Sequence, residues 1–263
     1  MKFKEFRKKN VGLLLILPWW IGFAIFKLYP FISSLIYSFH DYNLFRTATF
    51  SGLSNYKKIL GDPLIMKAFI QTFKYAFLTV PLELMFALFI AYILNNKIRG
   101  LNFFRTIYYI PSILGGSVSI AVLWKFLFKT EGLVNIMLGA LGIPAFNWLG
   151  NPDGAFFVIV LLRVWQFGSP MVIFLAALKG VQGDLYEAAA IDGAGKWKQF
   201  FQITVPLITP VIFYNFVTQL CHKFQEFNGP FIVTQGGPLR STTLVSLLVY
   251  NEAFKRNEMG LAS

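Results

Sequence analysis

Residues 183–206 read GDLYEAAAIDGAGKWKQFFQITVP, a largely polar stretch set between two long apolar runs. Packing in lipid does not require its spacing. Asp184, followed three residues later by Glu187, is a helix-start pattern: the Asp oxygen can accept a backbone N–H, and Glu is favourable in the first turn. An alanine-rich helix over 185–192 follows. Gly193 and Gly195 end it and permit a tight turn, a second short helix covers 196–203, and Pro206 closes that helix into the next run. The stretch therefore predicts a helix–turn–helix elbow. Ala188, Ala189 and Ala190 give it a small face that another protein can approach closely, which suits a coupling joint. From composition alone, an ordinary amphipathic loop lying on a membrane surface is the simpler reading.

The runs on either side, 155–178 and 205 to about 227, approach the roughly 20 residues needed to cross a bilayer. So do 73–94 and 106–128, and a first helix is expected over 12–39, interrupted near Pro30. Pro81, Pro111, Pro170 and Pro210 fall inside these spans, so kinks are expected where neighbouring helices satisfy the freed backbone groups. Composition agrees. The 263 residues are 56% hydrophobic and only 14% charged, with 30 Phe and a mean hydropathy of +0.58. A soluble domain carries about 25% charged residues, so a water-soluble enzyme is a poor fit. The net charge of +12 is spread in short clusters between apolar runs, which speaks for membrane topology and against nucleic acid. A single cysteine, Cys221, excludes an intrachain disulfide.

Lys and Arg flanking the spans set orientation, because positive loops stay in the cytoplasm. Lys2, Lys4, Arg7, Lys8 and Lys9 place the N-terminus inside, and alternation places Lys97, Arg99, Arg105, Lys179, Lys196 and Lys198 inside as well. Arg46, Lys57, Lys58 and Lys67 break the bias on the exterior. Five crossings leave the chain outside near residue 228, where Gly236, Gly237 and Pro238 signal a turn. The following 241–254 is too short and polar to span and reads as an exterior amphipathic helix. Neither an internal repeat nor a low-complexity tract is visible.

Two spans carry polar faces, which in lipid turn toward protein or a water-filled path. Gln219, His222, Lys223 and Glu226 form one helical stripe, with Asn215 one turn earlier. Leu162, Trp165, Gln166 and Ser169 repeat that spacing. An aromatic ring beside amides and carboxylates suits a sugar, which presents apolar C–H faces and rings of hydroxyls. His222 and Lys223 favour an acidic sugar, unless Lys223 and Glu226 simply pair with each other; interhelical hydrogen bonding is the plain structural alternative. Arg163 either pairs with Glu83 inside the membrane or faces a partner subunit. Residues 190–197, AIDGAGKW, imitate a phosphate-binding loop, but Ala190 replaces its first Gly, Trp197 replaces the Ser or Thr, and the run follows a helix. No metal-ligand cluster or catalytic spacing appears.

Glu187, Ala188, Ala189, Gly193, Ile203 and Pro206 resemble, position by position, the EAA motif of permease subunits of bacterial ATP-binding-cassette importers. The arrangement from residue 11 onward and the turn at 236–238 are similar to the carbohydrate branch of that family, the maltose-type permeases. The resemblance implies an all-α, polytopic membrane bundle of the type I importer class. It divides into a basic cytoplasmic N-terminus at 1–10, a first membrane helix with an exterior loop at 11–69, and a core at 70–263 holding the coupling loop at 180–206. Six core helices are expected, the last lying beyond residue 263. It also implies that the elbow docks on a separate ATPase through Glu187, Ala188, Ala189, Asp192, Gly193, Ala194 and Gly195, with Ile203 and Pro206 completing the motif. A second homologous permease, two cytoplasmic ATPase subunits and an extracytoplasmic solute-binding protein are the implied partners. ATP and Mg belong to the ATPases; the permease itself binds no cofactor and catalyses nothing. Leu162, Trp165, Gln166, Ser169, Asn215, Gln219, His222, Lys223 and Glu226 lie where maltose-type permeases contact solute. Related architecture also handles glycerol phosphates. An ion-coupled secondary transporter is the competing function, needing coupling residues such as Glu83, Arg163 or Glu226 and usually internal repeats. An intramembrane enzyme would need paired catalytic groups, and only His222 with Glu226 comes near.

Overall fold

The computed structural model describes residues 11–45, 47–96 and 100–263. The basic residues at 1–10, together with Arg46, Lys97 and Arg99, therefore lie outside the described residues. The chain is all-α apart from a two-residue antiparallel pair, β1 (His40–Asp41) with β2 (Thr49–Phe50). It divides into two compact units, one built from residues up to 66 and from 248 onward, the other from 67–247.

In the first unit, α1 (Val11–Phe23) and α2 (Tyr29–Ser38) are joined by a wide π turn, Ala24–Leu28. Proline lacks an N–H and its ring crowds the carbonyl four residues back, so a turn closing at i+5 just upstream of Pro30 lets the helix continue. The expected interruption is thus a local widening. The hydropathic window of this span is wholly unburied, leaving Leu15, Trp19 and Phe26 on its outer surface. Past α3 (Ser54–Gly61), Asn55 Nδ2 donates to the Ser38 and His40 carbonyls at 2.9 and 3.0 Å. Gly260 donates its N–H to the Tyr42 carbonyl at 3.1 Å, so close that a Cβ there would stand 2.1 Å from the His40 oxygen.

The second unit holds most of α4 (Pro63–Leu94), which begins ten residues before the expected 73 because Pro63 and the residues after it continue in helix. The expected span at 106–128 is sharply broken. It is two helices, α5 (Leu101–Leu114) and α6 (Val118–Leu127), bent by 100°. Gly115 and Gly116 free the backbone at the bend, and Ser117 starts α6 by accepting from the Ser119 N–H at 3.1 Å. After α7 (Leu133–Ala140), the expected 155–178 span is likewise broken into α8 (Pro152–Val164) and α9 (Gly168–Lys179), bent by 43°. The elbow consists of α10 (Gly183–Ile191), α11 (Lys196–Gln199) and a π turn, Phe200–Thr204, running straight into α12 (Val205–Phe224). The short helix expected at 196–203 is therefore the beginning of a 29-residue span, Lys196–Phe224. Pro206 does not close it, since the π turn accommodates the ring. The expected exterior helix at 241–254 is α13 (Val245–Tyr250) followed by a π turn, with Leu244 and Leu247 fully buried instead of lying on a surface; α14 (Met259–Ala262) belongs to the first unit.

Two buried clusters hold this unit. Val80, Leu84, Ala87 and Ala91 of α4 pack against Met171, Phe174 and Leu178 of α9 and Ile208 of α12. Tyr75, Ala121, Phe156, Ile159 and Leu244 form the other. Small residues permit close helix approach where lipid supplies no hydrophobic drive between helices. Gly168 is the sharpest case: a Cβ there would meet the Tyr108 carbonyl at 2.4 Å and the Tyr109 Cα at 2.9 Å. Backbone cannot yield as a flexible side chain does, so Gly168→Ala is expected to destabilise the unit by about 1–3 kcal/mol. A thermal midpoint in detergent that stays at the wild-type value would contradict this packing.

Candidate functional site

The elbow is fixed by its own hydrogen bonds. Gly193 takes φ +79, the Ala194 N–H returns to the Ala189 carbonyl at 2.8 Å, and the Gly193 N–H reaches the Ala190 carbonyl at 3.1 Å. This is the Schellman closure, which satisfies carbonyls that a helix end would otherwise leave free. Gln199 Nε2 then donates to the Ala194 carbonyl at 2.9 Å, and the Tyr186 hydroxyl meets Thr204 Oγ1 at 2.8 Å, tying α10 to the base of the long span. Asp184 sits inside the first turn of α10 without capping it, because Gln182 occupies the cap and makes no side-chain bond. Gly195 is extended, at φ −66 and ψ 163. Glu187, Ala188, Asp192, Gly193 and Gly195 are exposed, Ala189, Ala194 and Ile203 half-buried, and Pro206 exposed on the first turn of α12. Ile191 is 88% exposed and Trp197 76%, so both limbs of the elbow present an apolar side chain. Tyr186, Gln199 and Thr204 escaped the sequence reading; they lie inside the quoted stretch, but only the fold pairs them.

A second feature lies between the helices that carry the elbow. A cavity of about 420 Å³ is lined by Gln166, Ser169, Gln219, His222, Lys223 and Glu226, all from the two predicted stripes. Glu83, Ser112, Arg163, Gln225, Phe227 and Asn228 also line it. Leu162 instead joins the buried cluster around Phe156. Trp165 packs its ring 5.4 Å from that of Trp124, and Asn215 is buried, so none of these three lines the cavity. The aromatic ring that does is Phe227, stacked on Phe231.

The ion pairs are crossed relative to expectation. Lys223 Nζ lies 2.6 Å from Glu83 Oε2 and does not pair with Glu226, while Arg163 pairs with Glu226 and not with Glu83. The i, i+3 spacing brings Lys223 and Glu226 to one face, yet each finds its counter-charge on another helix. From Glu226 the bonds run on in a chain. Its Oε1 accepts from the Gly229 N–H at 3.0 Å, Arg163 Nη1 donates to Gln166 Oε1, and Gln166 Nε2 is buried without a partner. The fully buried Tyr75 stands in electrostatic reach of Glu226, Arg163 and Glu83.

Gln166 occupies the break between α8 and α9, and Gly115 the break between α5 and α6. The two breaks touch, since a Cβ on Gly115 would stand 2.2 Å from Gln166 Cδ. Broken helices lining a polar cavity can offer a solute amides, hydroxyls and freed backbone groups. Among the described residues, no cluster of three or more His, Cys, Asp or Glu is placed to hold a metal ion.

Residues 65–261 match the family described as binding-protein-dependent transport system inner membrane component. The chain is 43% identical to the probable ABC transporter permease protein YesP of Bacillus subtilis (strain 168), over all of this chain and 86% of that protein. It is 34% identical to the trehalose/maltose transport system permease protein MalF of Thermococcus litoralis, over 94% of this chain and 84% of that one. A solved bacterial alginate ABC transporter, in complex with an alginate pentasaccharide-bound periplasmic protein, superposes with a TM-score of 0.83. That likeness has 22% identity and covers all of this chain and 90% of the other.

Proposed function

The chain is a multi-pass membrane protein belonging to the family of binding-protein-dependent transport system inner membrane components, and on that premise we propose that it is a pore-forming permease subunit of an ATP-driven sugar or oligosaccharide importer. It works in the cytoplasmic membrane, N-terminus inside, beside a second homologous permease, two cytoplasmic ATPase subunits and an extracytoplasmic solute-binding protein. ATP and Mg reside on the ATPases; this chain binds neither and catalyses no reaction. The relative named for trehalose and maltose supports a carbohydrate cargo.

One observation carries the coupling: the elbow stands directly on the two rods that wall the cavity. α9 leads into it from Gln166 and Ser169, and the continuous span Lys196–Phe224 leads out of it toward Gln219 and Lys223. A displacement of the elbow by an ATPase therefore acts on both walls, through the short connection 180–182 on one side and through continuous helix on the other. The exposed Glu187, Ala188 and Ile191 offer that ATPase a surface.

The reading is tested by purifying the chain from its native membrane. An ATPase subunit is expected to copurify, and its ATP hydrolysis to rise when an oligosaccharide panel with the solute-binding protein is added. Hydrolysis indifferent to every solute, or no ATPase in the preparation, overturns it. The cavity has its own test in Gly115→Ala. The three nearest atoms to the added methyl all belong to the Gln166 side chain, which must shift, so solute affinity is expected to fall roughly tenfold, the scale of a lost hydrogen bond in a buried site, with size exclusion checking that the variant is folded. Unchanged affinity in a binding titration would show that Gln166 does not face the solute.

A further inference from the structure

The first unit holds a polar cavity of about 380 Å³, lined by Asp41, Tyr42, Asn55, Lys58, Arg256 and Glu258 among others. Its lining begins just past the end of the span Leu15–Ser38, whose hydropathic window is 0% buried. The walls are fastened through backbone. Asn55 holds the Ser38 and His40 carbonyls, Gly260 holds that of Tyr42, and Asn257 keeps a left-handed φ of +58. A non-glycine residue stays in that region where its surroundings impose it, so the cavity is preformed.

Its depth follows from the side chains around it. Ile32, Leu35 and Ile36 are exposed along the last turns of α2, Tyr37 and Tyr42 stack at 4.6 Å, and Phe45 and Phe50 are exposed just beyond. Aromatic rings of this kind collect where membrane meets water. Apolar, then aromatic, then polar is the order that a phospholipid presents from tail to headgroup.

Charge selects the headgroup. The lining carries two cations, Lys58 and Arg256, and two carboxylates, Asp41 and Glu258, so a ligand bearing both signs fits better than one bearing either alone. Among the described residues, Asp41 has no ion-pair partner, and Arg256 bonds Glu252 through Nη1 alone. Lys58 pairs with Glu258, but the side chains of Lys58 and Arg256 are both about half exposed. Exposed pairs are weakly held, which lets a ligand enter between the partners.

We propose that this cavity binds the headgroup of a zwitterionic phospholipid bearing a primary amine, with the phosphate on Arg256 and Lys58 and the ammonium on Asp41 and Glu258. A primary ammonium offers three N–H donors to the carboxylates; a trimethylated one offers none. The lipid then joins the end of the first span to the segment around 256–258. The proposal needs only the membrane placement of the chain and stands whether or not the cargo is a sugar.

The test reconstitutes the complete transporter in nanodiscs of phosphatidylethanolamine, phosphatidylcholine and phosphatidylglycerol in equal amounts, and identifies the lipids that stay bound by native mass spectrometry. Phosphatidylethanolamine is expected to be retained roughly tenfold over each of the others, the scale of a hydrogen bond to a charged group. The double variant Asp41→Asn, Arg256→Gln is expected to lose that preference with an unchanged size-exclusion profile, and Arg256→Lys to keep it. Glycerophosphoethanolamine, the same headgroup without tails, is expected not to displace the lipid at equal concentration; displacement would assign the cavity to a soluble phosphate ester and overturn the proposal. Equal or greater retention of phosphatidylcholine or phosphatidylglycerol, retention of no lipid, or a preference that survives in the double variant each overturn it as well.

Discussion

Lys223→Met alone is expected to cut the yield of folded, monodisperse protein by at least tenfold, and Glu83→Gln to do the same, while the double variant recovers most of it. The Lys223 and Glu83 side chains are 5% and 2% exposed, so a stranded charge keeps little solvation. Removing one partner of a buried pair costs about 3–5 kcal/mol because the other is left uncompensated, whereas replacing both with neutral groups of similar volume is often nearly neutral. At 1.4 kcal/mol per factor of ten, even a fraction of that penalty is visible in fluorescence-detected size exclusion. Because Lys223 and Glu83 come from different helices, the single variants also loosen α12 from α4. Singles indistinguishable from wild type would contradict the crossed pairing, as would a double variant no better than either single.

The second large effect is at the elbow. Gly193→Val forces a β-branched residue into φ +79, where its Cβ meets the following carbonyl and costs about 1–2 kcal/mol before the loss of the Schellman bonds is counted. Nothing lies within 4 Å of a Cβ at this position, so strain alone carries the effect and the cavity is untouched. Solute-stimulated ATP hydrolysis is expected to fall more than tenfold while solute binding persists. Gly195→Ala supplies the control, because its φ of −66 suits any residue and its surroundings are equally open. Equal activity in the two variants would show that the left-handed turn is not what couples the elbow.

These variants also mark how far the sequence could be read. The elbow was legible because its signals are local: Gly193 ends a helix whose carbonyls need closing within a few residues, and the glycine spacing says so. The 3.6-residue stripe Gln219, His222, Lys223 and Glu226 was legible for the same reason. The breaks at Gly115 and Gln166 were not, since each lies in a run apolar enough to pass as one span, and its bend is decided by what packs across it. The ion pairs misled similarly. Spacing puts Lys223 and Glu226 on one face but says nothing of Glu83 and Arg163, which arrive from helices 140 and 60 or so residues away in the chain and take the charges. Trp165 followed the stripe in sequence and left it in space, because the 43° bend begins there and turns the ring toward Trp124. Local periodicity names a face; only tertiary packing says what that face meets.

The central claim is that the elbow is the seat of a separate ATPase, and the most direct measurement is a crosslinker at Ile191, the most exposed apolar side chain of the elbow, activated in native membranes. The predicted result is a covalent adduct between this chain and an ATPase subunit, whose yield changes when ATP is added and drops in Gly193→Val. Adducts with lipid alone, from a chain that still supports uptake, would contradict it.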